Sequence, residues 1–108
     1  MVTQFVERHV RSLLAWDIVV FFHRNPDAAL DAAALADRLG RGAEEVAPEI
    51  DLLCRGDILD CQDGVVHYAP TAELREQVTL FVEACQDRSR RLALIALVLH
   101  SIGRAPIE

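Results

Sequence analysis

Cys54, Cys61 and His67 come closest, in type and spacing, to a chemical site. Structural zinc takes four converging ligands, commonly with CxxC and HxxxH spacings, and this trio supplies three ligands and neither spacing. No metal is expected. Cys54 falls on the apolar side of a helical run, where a free cysteine packs as a small hydrophobe, so it is assigned to the core. His9, His23, His67 and His100 are scattered over separate segments. The chain has no glycine-rich phosphate loop, nucleophile elbow, HExxH pair or metal-binding carboxylate cluster. The expectation is a protein that is not an enzyme and carries no cofactor. Trp16 with Phe21-Phe22 offers aromatic walls for a small-molecule pocket, but aromatic residues at helical spacing are the ordinary filling of a core.

The remaining chemistry is charge. The formal net charge is −6 over 108 residues, and all 11 basic residues are arginine. No lysine-rich tail is present to wrap a polyanion, so nucleic acid and acidic membrane are disfavoured as default partners. With 52% hydrophobic and 26% charged residues the chain has a globular composition, and its length suits a single domain over 1–108. Three cysteines without a CxxC pair, and no basic segment followed by an apolar one at the start, predict a cytoplasmic protein with reduced thiols. The longest apolar run, Leu92 to Leu99, is far below the about 20 residues a membrane span needs.

Helical spacing over Val2 to Phe22 predicts a buried first helical unit that Asn25-Pro26 stops near Arg24. The spacing leaves open whether residues 3–11 form a helix of their own. After Ala28 to Leu30, long enough only for a stub of strand, Asp31 caps a helix that Gly40-Arg41-Gly42 ends. Val46, Ile50, Leu53 and Cys54 mark one face of a third helix stopping at Gly56. Ile58 to Cys61 and Val65 to Ala69 then flank Asp63-Gly64, a strong hairpin signal. Pro48 sits too deep in the third helix for its first turn and should bend it.

Thr71 opens the last helical stretch. Its apolar seam runs Leu74, Val78, Phe81, Cys85, Arg88, Leu92, Ile95, Leu99, Ile102, in intervals that alternate four and three. As one helix, 74–102 would be about 43 Å long, against a diameter of roughly 34 Å for a compact chain of this size. The overhang would expose an apolar patch that a second copy covers. The predicted dimer interface is Phe81, Cys85, Arg88, Leu92, Ile95, Leu99 and Ile102. In a parallel two-fold dimer Cys85 would face its counterpart, but a buried thiol is the favoured reading for it in a reducing compartment, and Arg88 either sets register or marks where the helix bends. The alternative is a break within Gln86 to Arg91 that folds the last helix back onto the chain.

The order of elements resembles the winged-helix family of helix-turn-helix domains, in particular small bacterial transcriptional regulators of the multiple-antibiotic-resistance and phenolic-acid types. The resemblance is carried by Leu35-Ala36-Asp37-Arg38-Leu39-Gly40, by Val46-x3-Ile50-x2-Leu53, by Arg55-Gly56-Asp57-Ile58-Leu59 and by Tyr68-Ala69-Pro70-Thr71. It implies a mainly helical α+β fold with a two-stranded wing, a long C-terminal dimerisation helix over about 72–102, and Ala43 to Arg55 as the recognition helix.

On such a scaffold DNA affinity comes from cations neutralising phosphates. Here the recognition helix offers Glu44, Glu45, Glu49 and Asp51, and the wing offers Asp60, Gln62 and Asp63. The expected activity is therefore recognition of a protein, as yet unknown, by a homodimer, with Glu44, Glu45, Glu49 and Asp63 as partner-binding residues. The alternative is a DNA-binding repressor touching phosphates through Arg38, Arg41 and Arg55. Metal-sensing repressors of the arsenical-resistance type pair cysteines in the recognition helix or histidines in the last helix, where this chain has single Cys54 and His100.

Overall fold

A computed structural model describes the backbone of residues 2–104 and the side chains of residues 2–99. It is mainly helical, with six helices and a small antiparallel sheet among the described residues. α1 (Val2–His9) and α2 (Leu13–Arg24) are separate helices. Between them Ser12 caps α2, its hydroxyl accepting from the Ala15 N–H at 3.0 Å. β1 (Ala29–Leu30) is followed by α3 (Ala32–Leu39), on which Asp31 accepts from the Ala34 N–H at 2.8 Å and Gly40, at φ 69°, supplies the left-handed residue that ends the helix.

α4 (Ala43–Arg55) runs through Pro48. The ring removes the bond to the Glu44 carbonyl, and both Glu44 and Pro48 lie on the exposed side of the helix. β2 (Leu59–Gln62) and β3 (Val65–Tyr68) form the hairpin. Asp63 and Gly64 both have positive φ, 53° and 80°, as a two-residue type I′ turn requires. The stub β1 also pairs, so the sheet has three strands in the order β1-β3-β2 rather than the two of the expected wing. Ala29 lies opposite His67, Leu59 opposite Tyr68 and Cys61 opposite Val66.

In place of the single long C-terminal helix the structure has the alternative, a break within Gln86 to Arg91, giving two helices, α5 (Ala72–Cys85) and α6 (Arg88–Arg104). Asp87 makes the break, accepting from the N–H groups of Ser89 at 2.9 Å and Arg90 at 3.3 Å and so starting a new helix. The Arg91 guanidinium donates to the Cys85 carbonyl at 3.3 Å, satisfying a group at the end of α5. α6 folds back onto α1, α2 and α5. The radius of gyration is 13.4 Å, that of a compact chain of this length, so α6 does not project beyond the domain.

Folding back changes which residues are buried. Val78 and Phe81 are fully buried in the chain's own core, where Phe81 meets Phe5 at 5.5 Å and Trp16 edge-on at 4.9 Å between ring centroids. Phe81 is thus unavailable to a second copy, contrary to the expected interface. On α6 the core residues are Leu94 and Val98, and the seam positions Leu92 and Leu99 face out, 55% and 49% exposed. No described helix is long and apolar enough to cross a membrane.

Candidate functional site

α3 packs against α4, and α4 against β2, over a core that includes Leu35, Val46, Ile50, Leu53, Ile58 and Leu59. These buried residues fix the surface formed by α4 and the hairpin tip. Helical periodicity carries Glu44, Pro48, Asp51 and Arg55 along the outer side of α4, spaced by four, three and four. Leu52, 47% exposed, lies among them. Glu44 and Glu45 are exposed and Glu49 is half-buried; Asp63 is exposed at the hairpin tip. Glu45 is already engaged: its carboxylate accepts from the Gly42 N–H at 3.1 Å, stabilising the start of α4. Leu52 was not singled out from the sequence, because its place beside the apolar face only resolves into exposure once α4 is docked.

Arg38, Arg41 and Arg55 are exposed on α3, on the following turn and at the end of α4. Arg41 stands near Asp17, whose carboxyl burial pushes above its usual value while Arg41 pulls it back. Residues 31–68, the two helices and the hairpin, contain nine carboxylates and three arginines, whereas the rest of the chain has eight of each. The entire net charge of −6 therefore belongs to this one surface-forming segment.

Cys54 and Cys61 are joined by a disulfide across a Cα–Cα distance of 6.4 Å. This corrects the assignment of Cys54 to the core as a free thiol, and with it the expectation of reduced thiols throughout. Cys54 is half-buried at the end of α4 and Cys61 exposed on β2. The pair was missed because its spacing carries no motif; only the turn at Gly56 brings the strand back alongside the helix. His67 is not a companion ligand, since the register puts it opposite Asp60, on the other face of the sheet from Cys61 and Val66.

Of the other expected interface residues, Cys85 is a half-buried free thiol and Arg88 is exposed at the start of α6. Burial pushes the Cys85 thiol up, against the pull of Arg91 and Arg24, so it is less reactive than an open cysteine. Ile95 is half-buried between Leu92 and Leu99; the side chain of Ile102 lies outside the described residues. Trp16 and Phe22 are buried in the core, while Trp16 and Phe21 also edge an open cleft of about 330 Å³ shared with Asp17, Arg24 and Leu39. Comparison of the chain with protein-family models, with curated proteins and with solved structures returned no match.

Proposed function

We propose that this chain is a non-enzymatic winged-helix regulatory protein that recognises a basic protein surface with α4 and the β2–β3 wing, as a homodimer paired through α6. The observation that carries the reading is the charge asymmetry: nine carboxylates against three arginines over residues 31–68. A duplex would be repelled by Glu44, Asp51 and Asp63 before Arg55 could reach a phosphate. A cationic protein surface would be attracted by the same groups, and the exposed Leu52 supplies an apolar contact at the centre of the face.

The dimer is supported by Leu92, Ile95 and Leu99, which share the outer side of α6 with Ala96. Their spacing gives a stripe narrow enough to pair with its own copy. Sedimentation of the wild type beside Leu92→Asp and Leu99→Asp tests it: a dimer that both substitutions dissociate is expected, and a monomeric wild type at micromolar concentration overturns it.

Titration with random-sequence duplex DNA across a salt series tests the partner. No binding at low salt is expected. Binding that weakens steeply with salt, and more gently once Arg38, Arg41 and Arg55 are replaced, would return the repressor reading in its place.

A further inference from the structure

Two attachments of different strength hold the hairpin to α4. The root is tied by main-chain bonds: Gly56 N–H to the Leu52 carbonyl at 3.0 Å, Asp57 to Cys54 at 3.2 Å and Ile58 to Leu53 at 3.1 Å. Leu53 and Ile58 are buried on either side of the turn. Farther out the attachment thins. Leu59 is the only buried residue of β2, and Asp60, Cys61 and Gln62 leave the core. β2 is an edge strand, bonded only to β3 in the sheet, whereas β3 is also held by β1 and by the buried Val66. The outer half of β2 is thus secured to α4 by the Cys54–Cys61 bond.

We propose that Cys54 and Cys61 are a reversible thiol–disulfide exchange site for a dithiol reductant, and that reduction releases the outer hairpin from α4 while the fold persists. Access favours attack at Cys61, which is exposed, over the half-buried Cys54. A thiolate of the reductant bonds to Cys61 Sγ; the protein S–S bond breaks, and its electron pair leaves on Cys54 Sγ, which takes a proton from water. The second thiolate of the reductant then attacks its partner sulfur and expels Cys61, which is protonated in turn. The protein gains two electrons and two protons, and the dithiol ends as its own disulfide. Because α4 carries Glu44 and Glu45 and the hairpin tip carries Asp63, the bond lies between the two parts of the acidic face. The exchange itself does not rest on what that face binds.

The test uses the full chain with Cys85→Ser, so that only this pair can titrate. Iodoacetamide labelling read by mass, and native-state amide exchange, are measured on the air-oxidised protein, after dithiothreitol without denaturant, and after reoxidation by glutathione disulfide. The expected result is no labelled thiol, then two, then none. Amides of Cys61 to Gly64 should exchange at least about tenfold faster in the reduced state, with those of Leu53 and Ile58 changing less than about twofold. Cys54→Ser with Cys61→Ser should reproduce the reduced pattern. Two free thiols after oxidation, a bond that yields only in denaturant, or equal exchange in both states would overturn the proposal.

Discussion

Gly56 faces His9 so closely that a Cβ on it would stand 2.9 Å from the imidazole Nδ1. The backbone of Gly56, at φ −86°, suits any residue, so what demands glycine there is the approach of α1 to the end of α4. Gly56→Ala should therefore destabilise by about 1 kcal/mol through displacement of the ring. In a His9→Ala background the same change should cost nothing, since the added methyl then has room. Urea unfolding of the four proteins in a double-mutant cycle measures the coupling, and additive effects would show that the contact is unimportant.

His9 also ties stability to pH. Burial, and then Arg8, hold its pKa below the ordinary 6.5, with Asp57 pulling the other way. The unfolded chain protonates His9 near pH 6.5 and the folded chain only at lower pH, so the unfolded state binds more protons in between. Stability falls as pH drops from that value through the folded pKa. Urea midpoints at about pH 7.5, 6.5 and 5.5 should show a loss in the wild type that His9→Gln lacks. Parallel curves for the two proteins would contradict it.

Asp57 occupies the left-handed region at φ 65°, just after α4 ends. With Asp57 N–H bonded to the Cys54 carbonyl and Ile58 N–H to that of Leu53, it fills the place where helices most often put glycine. Asp57→Gly should raise stability by about 0.5 kcal/mol, and Asp57→Val should lower it by about 1 kcal/mol or more, because a branched Cβ crowds the following carbonyl. Thermal unfolding at a pH where His9 is neutral separates this from the His9 interaction.

The Tyr68 hydroxyl is the one buried side-chain polar atom without a hydrogen-bond partner among the described residues. Burial pushes its pKa up, and the Arg75 guanidinium lies 5.4 Å from the ring centroid. Tyr68→Phe keeps the ring under the arginine and removes the stranded hydroxyl, so stability should rise by about 1 kcal/mol. A fall of similar size in denaturant unfolding would mean that the hydroxyl finds a partner in solution.

Much of this architecture was legible locally. Asp31 and Thr71 cap the helices they were read to cap, Gly40 ends α3 in the left-handed region, and Asp63-Gly64 makes the hairpin turn. Each depends on a few neighbouring residues whose backbone preferences point the same way. In the C-terminal region the apolar intervals from Leu74 to Ile102 fit a continuous helix as well as a broken one. Asp87, a good cap in the middle of that run, was the signal for the break; periodicity cannot tell a seam facing another chain from one that ends and restarts.

The amino-acid order by itself determined α3, α4, the start of α5, the hairpin and the concentration of carboxylates between Asp31 and Asp63, because propensity, capping and charge are properties of short segments. Only the tertiary structure decided that α6 turns back, that Phe81 belongs to the core while Leu92 and Leu99 face out, and that Cys54 meets Cys61. Those outcomes depend on which surfaces meet in space, and a buried face satisfies the same hydrophobic requirement whether its own chain or another covers it.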